Sequence, residues 1–273
     1  MTRGLDASRV TIRYQRHPAR VVSSYAAGRS DGIASTRRSP CRIIAHRGAS
    51  ADAPESTRAA IRAAVRGGAH MIELDVQMTR DGRLVIFHDD RLNRTTNGRG
   101  RLVKATYAQV ARLDAGSWFH PRFAGERVLL LSEALRVIPH RVRINLELKR
   151  TRHGRRLVQR VLRTVRRARA QTRVVLSSFD AALLDLAGRC GIPRALIGDR
   201  QPERSLQRAI RAGYDGWHPK WSLVTPARIA HAHAAGVWVY AWTVDTVGRA
   251  RRLRRWGVDG IFTNDPATFR SVA

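Results

Sequence analysis

Cysteine is almost absent. The 273-residue chain has two, Cys41 and Cys190, far apart in sequence. That spacing excludes a cysteine-based metal motif and gives no disulfide framework, so both read as ordinary thiols. No run of about 18 apolar residues occurs, which excludes a transmembrane helix. The first forty residues hold no apolar segment of signal-peptide length, because VVSSYAA is too short and too polar in its flanks. A cytoplasmic location is the resulting expectation. Lysine is scarce as well. It stands only at Lys104, Lys149 and Lys220, which leaves 48 arginines among the 51 basic residues, against 21 acids.

The net charge of +30 raises the prospect of a polyanionic partner: nucleic acid, anionic lipid or a phosphate-bearing substrate. The arginines are dispersed along the chain, however, and many fall on expected helix faces such as RRLVQRVLRTVRRARA. They read chiefly as a solvated basic face. No nucleic-acid motif of known spacing is present, so adhesion to nucleic acid at low salt is expected but specific recognition is not.

Residues 1–40 are rich in Arg, Ser and Gly without sustained periodicity and read as a mobile extension. From residue 41 to 273 a rhythm sets in. CRIIAHR is a short apolar run, and STRAAIRAAVRGGA has helical spacing, with Ser56 or Thr57 placed to cap its start. MIELDVQMT alternates, with Ile72, Leu74 and Val76 on one face and Glu73, Asp75 and Gln77 on the other. After the turn RDGR comes LVIFHDD, read as the third strand. A less regular stretch from about 91 to 128, with TTNGRGRL as a hairpin-like signal, is long enough to be a functional insertion. Then strands and helices alternate to the end.

About eight such units predict a parallel sheet. The fold class is α/β, with a (β/α)8 barrel carrying a small insertion after an early strand as the best architecture. An open doubly wound sheet is second. In a barrel, chemistry sits at the C-terminal ends of the strands. Polar residues do collect there: His46 and Arg47, Glu73 and Asp75, His88 and Asp89, Glu147 and Lys149, Ser177 and Ser178, His218 and Lys220, Trp242, Thr243 and Asp245, Asn264 and Asp265.

Glu73 and Asp75 are two apart on a strand and share a face, as do Glu147 and Lys149. Carboxylates crowded together repel unless one is protonated or a cation lies between them. Glu73, Asp75 and Glu147 make a hard, all-oxygen ligand set suited to Mg²⁺ or Ca²⁺ rather than zinc. The competing reading is a solvated or arginine-neutralised acid cluster, which the aliphatic residues between them disfavour. His46 and His88, on separate strands beside these acids, are candidates for acid–base work near neutral pH.

The ordered set HRG at 46–48, PES at 54–56, ELD at 73–75, HD at 88–89, ELK at 147–149 and the late TVD and TND closely resembles the glycerophosphodiester phosphodiesterases, over about residues 42 to 267. The resemblance implies a (β/α)8 barrel that hydrolyses glycerophosphodiesters to glycerol 3-phosphate and an alcohol with one divalent cation, Ca²⁺ or Mg²⁺. It implies His46 and His88 as the acid–base pair, and Glu73, Asp75 and Glu147 as metal ligands. Arg47 and Lys149 become phosphate contacts, Trp242 a wall of the substrate pocket, and Glu55 a loop support for the histidine and arginine. The chain departs from the family at Ser56, where Asn is usual. Water or a neighbouring hydroxyl of the substrate serves as the nucleophile. Two rival readings stand beside this one. A lysophospholipase D-like enzyme would touch an anionic membrane peripherally through the basic surface and Trp118-Phe119. A catalytically inactive barrel would bind polyanions.

Overall fold

The computed structural model describes residues 40–188 and 190–272. The expectation for the N-terminal extension therefore lies, save for residue 40, outside the described residues. Eight parallel strands close on themselves: β1 (Arg42–Ala45), β2 (Met71–Met78), β4 (Arg143–Leu148), β5 (Val174–Ser178), β6 (Arg194–Gly198), β7 (Gly216–Pro219), β8 (Trp238–Ala241) and β9 (Gly260–Thr263). Pairing of β1 with both β2 and β9 completes the ring. Helices fill the crossovers: α1 (Arg58–Arg66), α3 (Leu131–Val137), α4 (Gly154–Arg167), α5 (Ala181–Ala187), α6 (Pro202–Arg211), α7 (Pro226–Ala234) and α8 (Val247–Trp256). The expected barrel is the fold.

Alternation along each strand divides the core into two layers. Ile72, Leu74, Val76, Ile144, Leu146 and Leu148 face the helices and join one continuous apolar cluster. The residues between them point into the barrel. Caps fix the helix starts: Thr57 accepts from the Ala60 N–H, Asp180 from Ala182, and Thr225 from Arg228, with Pro226 in the first turn. Of the two residues expected to cap α1, Thr57 is the one that does so.

One strand departs from the expectation. LVIFHDD does not supply a third barrel stave. β3 (Leu84–Ile86) pairs antiparallel with β2, with Val76 opposite Ile86, and lies outside the closed ring. The physical reason lies in the turn before it. A parallel neighbour needs a crossover of a dozen or more residues, whereas the short turn Thr79–Arg83 can only reverse the chain into a hairpin. His88 and Asp89 therefore follow a hairpin strand rather than close a stave.

The stretch after β3 packs on itself. It contains the short helix α2 (Tyr107–Val110), whose N-terminal Thr106 and Gln109 form a reciprocal capping box. Arg91 bridges Arg101 antiparallel, closing the TTNGRGRL loop. Val85, Phe87, Leu92, Leu102, Val110, Ala115 and Val128 form a second, smaller apolar cluster distinct from the main core. Trp118 and Phe119 meet edge to face, and the Trp118 indole donates to the Ala115 carbonyl. Among the described residues, no helix is long and apolar enough to cross a membrane.

Candidate active site

The C-terminal mouth of the barrel collects Glu73, Asp75 and Glu147. One oxygen from each lies within 4.8 Å of the others. Parallel pairing sets Asp75 beside Glu147 and Glu73 beside Asn145, so the register of β2 on β4 builds the cluster. Glu73 and Asp75 are buried, Asp75 only 1% exposed, and Glu147 is half-buried. Burial, then Asp75 and Glu147, push the Glu73 carboxyl well above the usual range. Burial and Asp75 raise Glu147 to about 7, against the pull of Lys149. Asp75 goes the other way: burial pushes it up, but Lys149 and Arg47 outweigh that and hold it below its ordinary value.

Two cations close on this cluster. Lys149 Nζ lies 2.8 Å from Glu147 and 3.3 Å from Asp75. Arg47 follows β1 with a left-handed backbone, φ 58°, which turns its N–H onto Glu73 at 2.9 Å. Its Nε stands 3.4 Å from Asp75 and its Nη1 2.9 Å from Glu55. Gly48 of the HRG motif continues the turn at φ 84°. A Cβ there would lie 2.7 Å from the Ala60 backbone, so only glycine lets α1 pack this close. Ser56, the position that departs from the family pattern, also has a left-handed backbone (φ 63°), and its buried hydroxyl has no hydrogen-bond partner among the described residues.

His46 follows β1 and is lowered in pKa, by burial first and then by Arg47. Its Nδ1 lies 2.8 Å from Asn264 Oδ1. The Asn264 side chain is itself oriented: its Nδ2 donates to Asp245 at 2.8 Å, and its backbone N–H donates to the same carboxylate at 2.9 Å. The amide oxygen is thus turned to His46 and can only accept. Nδ1 of His46 must carry the proton, which leaves Nε2 with a lone pair.

His88 is held differently. Its Nδ1 lies 2.6 Å from Asp89, an anion rather than an amide. Arg94 binds that carboxylate through Nε at 2.7 Å and also grips Glu55 at 2.7 and 2.8 Å. Hydrogen bonding from Arg94, against some burial, keeps Asp89 far below the usual carboxylate range. Although His88 is not on a barrel strand, Gln77 of β2 fixes its backbone. The Gln77 amide nitrogen stands 2.9, 3.0 and 2.8 Å from the carbonyls of Phe87, His88 and Asp89.

A cleft of about 90 Å³ opens among these groups, lined by His46, Arg47, Glu73, His88, Glu147 and Trp242. The Trp242 indole donates to the His218 carbonyl at 2.8 Å and meets Phe179 edge to face. Asn145 and Phe179, which the sequence did not mark, line the same space, as does His218, expected only as a polar strand end. Asn145 was detectable, being two positions before Glu147 on one strand face. His218 is fully buried, stacked on Tyr240, and burial lowers it to about 3. Glu55 stands where expected, between Arg47 and Arg94. Of the other histidines, His70 accepts from the Ile43 N–H and His233 pairs with Asp259, both away from the cleft.

A closed parallel barrel that sets carboxylates, two tethered histidines and a pair of cations around one small cleft is the arrangement of a hydrolase for an anionic ester. Comparison with known proteins agrees. The family model for the glycerophosphoryl diester phosphodiesterase family matches residues 46–268. A glycerophosphodiester phosphodiesterase of Caldanaerobacter subterraneus subsp. tengcongensis is 35% identical over 233 residues, covering 83% of this chain and 95% of that one. Another, from Bacillus subtilis, is 30% identical over 256 residues, with 86% and 87% covered. Among solved structures, a phosphodiesterase of Oleispira antarctica in complex with the product sn-glycerol-3-phosphate superposes with a TM-score of 0.81 at 32% identity, covering 85% of this chain and 96% of that one. The chain belongs to the glycerophosphoryl diester phosphodiesterase family, and it is an enzyme of that class.

Proposed function

We propose that the chain hydrolyses glycerophosphodiesters to glycerol 3-phosphate and an alcohol with one divalent cation, and that His46 and His88 are its base and acid. The observation that carries this reading is the asymmetry of the two histidines on either side of one carboxylate cluster. His46 is half-buried, lowered in pKa by burial and by Arg47, and tethered to an amide oxygen, with its Nε2 lone pair turned away from that tether. His88 is tethered instead to a carboxylate, Asp89, which Arg94 holds ionised.

Glu73, Asp75 and Glu147 fit a hard cation. They are all-oxygen donors within 4.8 Å of one another, and Asp75 Oδ2 is buried without a hydrogen bond. These three residues would hold Ca²⁺ or Mg²⁺, which supplies charge stabilisation to the phosphoryl oxygens when bound.

The remaining steps belong to the side chains. Arg47 and Lys149 bind the phosphate and meet the negative charge that grows on its oxygens. His46 Nε2 takes the proton of the nucleophile, water or a hydroxyl of the substrate, as its oxygen forms the new bond to phosphorus. The bond from phosphorus to the alcohol oxygen breaks, and His88 Nε2 gives that oxygen its proton. Trp242 and Phe179 wall the cleft on its apolar side.

The test is hydrolysis of glycerophosphocholine by protein treated with chelator, then with Ca²⁺ or Mg²⁺ restored. Activity should vanish and return. His46→Ala and His88→Ala should each lose about 10²–10⁴-fold in rate. Full activity in chelator, or in both variants, would overturn the assignment.

A further inference from the structure

Beside the cleft lies a much larger concavity of about 740 Å³, on the same mouth of the barrel. It runs between the end of β2, the insertion and the segment joining β4 to α4. Arg80, Arg101, Lys104, Arg152 and Arg156 line it, and Lys149 joins it to the site. Lys149 is shared: its ammonium touches Glu147 and Asp75, and the residue also lines the groove.

The acids of the groove do not balance these charges. Asp90 and Asp180 are the carboxylates on its wall, and Asp180 pairs with Arg150 at 3.8 Å. Among the described residues, Arg80, Arg101, Lys104, Arg152 and Arg156 form no ion pair with a carboxylate. Here they converge on a concave wall, where the low-dielectric surface focuses their field and draws in anions.

The reaction needs no such field for one phosphate, because Arg47 and Lys149 already face it. A cationic head group such as choline would be repelled. We infer that the groove is a subsite for a second anionic group, and that the preferred substrate is a glycerophosphodiester whose alcohol carries a further phosphate. This rests on the phosphodiesterase reading of the cleft. Such an alcohol arises in two forms, a small phosphorylated polyol or the next unit of a polyol phosphate chain. Both present the same chemistry to the groove.

The experiment compares glycerophosphocholine, glycerophosphoinositol 4-phosphate and a short glycerol phosphate oligomer, using the full chain with its cation. At low salt, KM for the two anionic probes should lie about tenfold below that for glycerophosphocholine. The gap should close as salt screens the groove. The double variant Arg101→Glu/Arg152→Glu should shrink the gap about tenfold, while Arg163→Glu/Arg211→Glu, the same charge change on outer helix faces, should leave it in place. Equal gains for both anionic probes mark a subsite for one phosphate; a larger gain for the oligomer marks a track for a chain. Equal KM for all diesters overturns the inference, as does an equal response to the two double variants. Competition by a single-stranded oligonucleotide with no KM difference among diesters also overturns it, in favour of polyanion binding unconnected with turnover. Absence of turnover on every diester, glycerophosphocholine included, defeats the phosphodiesterase reading itself and this inference with it.

Discussion

His46 and Asn264 meet across the seam where β1 and β9 close the barrel, imidazole Nδ1 against amide oxygen at 2.8 Å. Asp245 sets which end of the amide faces the ring, by accepting from both the backbone N–H and the side-chain Nδ2 of Asn264. The proton on His46 is thus placed by a residue it does not touch.

Asn264→Asp should move the acid limb of the kcat/KM profile upward. The His46 pKa is now lowered by burial and by Arg47. A negative charge in place of the amide favours the protonated ring, so the base we propose is lost at a higher pH, by about one to three units. Asn264→Leu removes the tether without adding charge, and should lower kcat about tenfold or more with little change in KM. A profile of rate against pH for the three proteins separates the two effects.

Arg94→Lys should behave like Arg94→Ala. One guanidinium binds Glu55 and Asp89 together, and so links the loop that supports Arg47 to the partner of His88. An ammonium cannot reproduce that two-sided fork. The arginine is 45% exposed in its side chain, so its loss should cost stability no more than about 1 kcal/mol. The expected signature is a fall of about tenfold in kcat at an almost unchanged denaturation midpoint, measured on the same preparations.

Ser56→Asn should stabilise the protein. A left-handed backbone suits Asn better than Ser, and φ at this position is 63°. The gain expected is about 0.5–1 kcal/mol, read as a higher denaturant midpoint at constant slope. Ser56→Val should shift the midpoint the other way, because a β-branched side chain is strained there.

The barrel was legible because its staves alternate so regularly. MIELDVQM and RINLEL state both which face is buried and which face bears the acids. β3 was misread because LVIF has the composition of a stave; only the brevity of the turn before it excludes a parallel partner. Asn264 and Asp245 stood out as polar residues at strand ends. Their effect on His46, however, depends on which way an amide is turned, and no spacing records that. Arg94 is one of 48 arginines in a chain whose 51 basic residues include three lysines, and nothing in its neighbourhood marks it. Asn145 passed as an ordinary barrel residue, and His218 stood only as one of the polar strand ends, until the cleft showed what they line.

The small apolar cluster beside the barrel carries a consequence for the working life of the enzyme. Of the two histidines, His46 follows a strand of the main core, whereas His88, although tied to β2 through Gln77, leads into a loop that packs on a small cluster of its own. A unit with that little buried surface opens more readily than an eight-stranded ring. Mild heating would therefore silence the enzyme while the barrel still stands. Cooling would restore it without any refolding of the ring, and the loop after the hairpin would then act as a fuse for the proposed acid.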